Sequence, residues 1–171
     1  MTSPVDIKIT SPDYLKLSVL NSILGGGVFS GRLMMNLRED KAYTYGCRST
    51  LKADDLIGEF TASGSFRNEV TDSSLTEILK EINRISIDEI SDKEILLAKQ
   101  SIKGKFIRSL ENPATVAYLA LNRIKYDLGD DYYKNYLKRL ESITKDDLKE
   151  VALKYIPQNA YNIIVVGDTS V

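Results

Sequence analysis

The chain holds no histidine among its 171 residues and only one cysteine, Cys47, so few side chains are available for catalysis. It cannot supply a histidine general base, a histidine-containing zinc site or a Ser-His-Asp triad. No cluster of Asp and Asn has the spacing of a calcium loop, although acidic residues in general can hold Mg²⁺ or Ca²⁺. The residues with chemical potential gather in one stretch, LGGGVFSGRLMMNLREDKAYTYG, over 24–46. Gly25, Gly26 and Gly27 come first, then Ser30, then Arg38, and Tyr45 seven positions after that arginine.

Two readings of this stretch compete on its local chemistry. Glycines ahead of a helix starting at Ser30 would expose N–H groups at the positive helix end, a place that suits an anion. A phosphate loop would add Gly-Lys-Ser/Thr, and Val28, Phe29, Ser30 and Gly31 stand there instead, which argues against a nucleotide. A dinucleotide fingerprint requires a strand before the glycines, whereas a helix precedes them. Alternatively, the glycines let two helices cross closely and reverse the chain. Under that bland reading Arg38 is a solvated helix end, and Tyr45, sharing strand parity with Tyr43 and Cys47, is a packing residue with a wet hydroxyl.

The elements that must position these residues follow from periodicity and capping. Ser11, Pro12 and Asp13 predict a helix start, and Leu17, Leu20 and Leu24 continue it at helical spacing. A second helix is expected over 29–39, with Leu33, Met34 and Leu37 on one side. Extended segments over 42–51 and 57–66, joined by Lys52, Ala53, Asp54 and Asp55, predict an antiparallel hairpin. Helices follow from Thr71, from a capping box at Ser91 and Glu94 to about Leu110, from Asn112-Pro113 to about Gly129, around Tyr136 and Leu140, and from a Thr144 cap. The apolar run 162–166 predicts a closing strand buried on both faces or beneath helices. The order predicts an α+β two-layer sandwich, with a mostly antiparallel sheet covered by helices on one face, as a single domain over 1–171.

Composition narrows the partners. At 43% hydrophobic and 27% charged residues the chain reads as an ordinary globular domain. Its 23 basic and 24 acidic residues nearly cancel and are interspersed, so neither nucleic acid nor an anionic membrane is expected as a partner. No apolar run approaches the ~20 residues of a membrane span. The start, MTSPVDIKIT, lacks the regions of a signal peptide, so the chain is expected to be soluble, with its compartment left open.

Taken whole, LNSILGGGVFSGRLMMNLREDKAYTYG resembles the signature of the C-terminal, non-zinc domain of the insulinase/pitrilysin family of zinc metallopeptidases, which includes the mitochondrial processing peptidases. The resemblance continues through ISDKEILLAKQSIKGKF, ITKDDLKEVALKYI and NIIVVGD, covering 11–168. It implies that zinc is held by a different domain, bearing an inverted His-x-x-Glu-His motif, in the same longer chain or in a partner subunit. It further implies that Arg38 binds a substrate carbonyl, that Tyr45 stabilises the oxyanion, and that Gly25, Gly26, Gly27 and Ser30 contact an extended peptide. The chain is then expected to be inactive alone. The alternatives are a non-catalytic family member that holds peptides or supports an assembly, and a glycine-loop anion binder. The chain departs from the family at Ala42-Tyr43-Thr44, where Gly-Leu usually precedes the small residue and the tyrosine, which brings Tyr43 forward as a competing hydroxyl. The family's fuller opening strand is reduced here to VDIKIT; a fragment of a longer chain, with an unpaired sheet edge that invites a homodimer, is therefore expected.

Overall fold

The computed structural model describes residues 1–27, 30–156 and 161–167. Its sheet is built from β1 (Thr2–Val5), β2 (Thr44–Lys52) and β3 (Gly58–Phe66), all antiparallel, in the order β1-β3-β2. The hairpin is therefore present as its sequence predicts. The opening strand lies earlier than VDIKI, because Thr2 to Val5 pair with Thr61 to Gly58 and only Ile7 of the later residues reaches the core.

Period-2 alternation gives the sheet two unlike faces. Val5, Cys47, Ser49, Phe60 and Ala62 are buried, whereas Arg48, Thr50 and Glu59 face solvent. On the buried side lie α1 (Tyr14–Asn21), extended by a π-turn over Ser22–Gly26, and α2 (Arg32–Met34), extended by a π-turn over Met35–Asp40. Leu17, Leu20, Leu24, Leu33 and Leu37 from these two elements are fully buried. Ser11 does not cap α1 as expected. Its hydroxyl accepts from Asp13 N–H at 3.3 Å, and Asp13 occupies the cap position, where its carboxylate instead takes hydrogen bonds from Lys154 and Tyr155. The second helix begins at Arg32, two residues after Ser30; the expected start at Phe29 lies outside the described residues.

The remaining helices are α3 (Thr71–Ile87), α4 (Asp92–Ser109), α5 (Pro113–Lys125), α6 (Tyr136–Ser142) and α7 (Lys145–Tyr155). Both capping boxes form, Ser91 with Glu94 and Thr144 with Asp147, each pairing a side chain with the other residue's backbone N–H. Leu148, Val151 and Ala152 of α7 complete the core against α1, and Ile78, Ile82 and Ile85 of α3 do so against α7 and β3. Two apolar stretches do not enter it. Val116, Leu121 and Ile124 of α5 are exposed, and the helix ends at Lys125, before the Gly129 expected as its limit. The run 162–166 is not the buried strand its composition predicts. Only Asn162 pairs, with Thr2, and the segment lines a solvent-open groove with Thr71, Leu75 and Ile78 of α3, so that Val166 remains 93% exposed.

Candidate functional site

The stretch that carries the chemistry packs two short helical segments against β2 and then enters β2 itself. Gly25 is buried where the π-turn meets β2; an added Cβ would lie 2.7 Å from both Leu33 Cδ1 and the Ser49 backbone nitrogen. Gly31 is as constrained, since its added Cβ would stand 3.0 Å from the Gly25 Cα. Close approach of helix, helix and strand thus requires these glycines. The Gly27 N–H donates to the Ser22 carbonyl at 3.1 Å, and the Lys105 ammonium donates to the Gly26 carbonyl at 3.3 Å. Gly25 and Gly26 therefore close the C-terminal, carbonyl-bearing end of the first helix, an arrangement that suits a cation better than an anion. Ser30 is exposed and non-helical.

Arg38 follows Leu37, whose side chain is fully buried, so the guanidinium lies off the core and is 38% exposed. Its Nε is 3.4 Å from Glu39 Oε1. The helix then reverses within three residues: Ala42 N–H donates to the Arg38 carbonyl at 3.1 Å and Tyr43 N–H to the Leu37 carbonyl at 2.8 Å. The reversal places Ala42 at φ 52°, the left-handed region that favours glycine. Tyr43 packs half-buried against the core.

Tyr45 departs from the parity predicted for it. Thr44 pairs with Phe66 and Cys47 with Gly64, so two residues of β2, Tyr45 and Gly46, oppose the single Ser65 of β3. This β-bulge shifts the alternation, leaving Thr44 and Cys47 buried and Tyr45 99% exposed on the side away from Cys47. The Tyr45 hydroxyl has no hydrogen-bond partner among the described residues. Burial pushes the Cys47 thiol up to about 11, so it is not a nucleophile at neutral pH.

The structure thus brings Arg38 and Tyr45 to the two ends of one reversal, whereas Gly25 and Gly27 lie buried in the packing. Ser30 instead borders a charged cleft of about 770 Å³, between α2 and the facing parts of α3 and α4, that the linear sequence does not announce. There Asn36 donates to Glu77 and Glu81, Arg84 pairs with Glu81, and Arg32 pairs with Glu94 at 2.7 Å. The spacing of Glu77, Glu81 and Arg84 on one helical face is the signal that could have found it. Most of its charges pair with one another, although the Arg32 Nη1 is buried without a hydrogen-bond partner among the described residues. No group of three or more His, Cys, Asp or Glu among the described residues is placed to hold a metal ion, and none of the described helices is long and apolar enough to cross a membrane.

The family model described as the peptidase M16 inactive domain matches residues 3–102. An uncharacterized zinc protease of Bacillus subtilis, YmxG, is 32% identical over 99 residues, which are 56% of this chain and 23% of that protein. The crystal structure of a peptidase M16 inactive domain from Pseudomonas fluorescens superimposes with a TM-score of 0.83 at 25% identity, covering 92% of this chain and 39% of that one. The inactive peptidase domain of a putative zinc protease from Bordetella parapertussis shares the fold, with a TM-score of 0.72 at 19% identity over 92% of this chain and 86% of that one. The chain therefore spans well under half the length of the Bacillus protein and of the Pseudomonas chain.

Proposed function

The chain belongs to the peptidase M16 family through that family's inactive domain, and we propose that it is the non-zinc wall of a zinc peptidase, completing an active site whose metal is held elsewhere. The observation that carries this reading is Tyr45. A tyrosine ring fully open to solvent, turned outward by a bulge one short reversal after an arginine, is an arrangement that packing does not require.

In this reading the domain is one unit of a larger protein, and a zinc-bearing domain, in the same polypeptide or in a partner subunit, faces the solvent side of β2. An extended peptide lies between them. Arg38 supplies directed N–H donors to a substrate carbonyl, and the Tyr45 phenol donates to the oxygen that gains negative charge as the scissile carbonyl becomes tetrahedral. A zinc ion held by the facing domain would supply the water nucleophile and polarise the scissile carbonyl; this chain's residues bind and orient. Gly25, Gly26 and Gly27 contact the extended peptide along their backbone, and Gly25 also lets α2 approach β2 closely enough to set the reversal. Ser30 contacts peptide from the cleft side. The outer edge of β1, occupied only at Thr2 by its bridge to Asn162, is the surface through which a second copy would pair.

The test uses the assembled peptidase. Tyr45→Phe and Arg38→Ala should each lower kcat/KM for an extended peptide by about a hundredfold while leaving bound zinc unchanged. Unchanged turnover in both variants would remove the site assignment and favour the non-catalytic, peptide-holding reading.

A further inference from the structure

Between Thr44 and Cys47 the second strand carries one residue more than its partner, and an extra residue leaves backbone groups that the ladder cannot pair. The Thr44 hydroxyl deals with both sides of the irregularity. Its Oγ1 accepts from the Gly46 N–H at 3.0 Å and donates to the Ser65 carbonyl, the residue opposite the bulge, at 2.6 Å. Thr44 is itself 9% exposed, and its Oγ1 also lies 3.0 Å from the Gly46 carbonyl, so every partner given for it belongs to the bulge.

We infer that Thr44 is a positioning residue, whose hydroxyl holds the bulge and thereby decides which face of the sheet carries the Tyr45 phenol. The geometry leaves little freedom. Cys47 and Ser49 are anchored in the core, so the parity of β2 is fixed from its far end. Without the bulge, regular alternation from Cys47 would turn Gly46 outward and Tyr45 inward, toward the helices. With it, Tyr45 points to solvent. A threonine serves where a valine of the same shape would not, because the work is done by one donor and one acceptor rather than by volume. The inference gives the proposed active-site tyrosine its support and rests on that reading for its functional meaning. Its test reads geometry alone, so failure of the bulge argument and failure of the peptidase reading are separate results.

The measurement is nitration of Tyr45 by tetranitromethane, followed by peptide mass spectrometry, with reactivity of Cys47 toward a thiol reagent as the control for folding. In the wild-type protein Tyr45 should react readily and Cys47 should not. Thr44→Val should keep Cys47 protected and lose nitration at Tyr45, whereas Thr44→Ser, which retains the hydroxyl, should restore it. Nitration of Tyr45 in folded Thr44→Val at the wild-type rate would overturn the proposal. Should Thr44→Val leave Cys47 reactive, deletion of Gly46 in that variant removes the extra residue, and plain alternation then turns Tyr45 outward without any hydroxyl. That second variant should protect Cys47 and nitrate at Tyr45; failure on either count would overturn the proposal equally.

Discussion

Ala42 and Gly25 show how single residues set the site. Ala42 holds φ 52° so that the helix bearing Arg38 can turn directly into β2, and a side chain in that region is strained by about 1 kcal/mol. The family resemblance places a glycine at this position, and the observed dihedral is the physical reason. Ala42→Gly should therefore raise stability by about 0.5–1 kcal/mol in urea unfolding, despite the greater flexibility of the unfolded chain; a loss would show that the turn tolerates its methyl. Gly25 has the opposite constraint. Its backbone angles are ordinary, but a methyl would overlap Leu33 Cδ1 and the Ser49 backbone, so Gly25→Ala should cost about 3 kcal/mol by the same measurement.

At the scale of elements, capping and ion pairing join the helices around the site. Glu94 belongs to the capping box of α4 and also receives the Arg32 guanidinium from α2, 62 residues earlier in the chain. Partial burial by itself would raise its carboxyl; the guanidinium and the Ser91 amide and hydroxyl outweigh it and bring it down to about 2. Asp147, paired first with Lys16 and then with the Thr144 cap, is likewise held at about 2. Both carboxyls bind protons more weakly folded than unfolded, where their ordinary values are 4.5 and 3.8. Their contribution is complete above about pH 5 and is lost as pH falls toward 2. Thermal unfolding should show Tm falling across that window, with a shallower fall in Glu94→Gln. The same variant should be less stable than wild type by about 2 kcal/mol at pH 7, because Arg32 then loses its charged partner. An unaltered acid profile would locate the pH dependence in other carboxylates.

For the molecule as a whole, the informative surface is the apolar one left uncovered. On α5 the side chains of Val116, Leu121 and Ile124 are exposed, the last by 75%, and the segment 163–166 adds a second apolar strip. A single domain with such surface should bind the dye ANS in its native state and self-associate as concentration rises. Leu121→Ser with Ile124→Ser should reduce both, by fluorescence and sedimentation velocity, while changing stability by less than about 0.5 kcal/mol. Dye binding that persists undiminished would assign the sticky surface to residues 163–166 instead.

Local chemistry made much of this protein legible before folding. Helix existence followed from 3.6-residue periodicity, Ser91 and Thr144 announced their caps, and the acidic turn announced the hairpin, because each depends on residues within one or two turns of one another. The types and spacing of Arg38 and Tyr45 likewise marked a candidate site. Their orientation did not follow. Parity counted along β2 put Tyr45 beside Cys47, and only the pairing with β3, where one residue opposes two, turned it to the other face. The same holds for the glycines, which became a packing seam once β2 lay against them, and for 162–166, whose composition asks for burial that an edge position does not provide. Sequence determined the elements and the chemistry they carry, since those rest on short-range sterics and hydrogen bonding. Tertiary structure decided which face, which edge and which neighbour, because those depend on partners dozens of residues away.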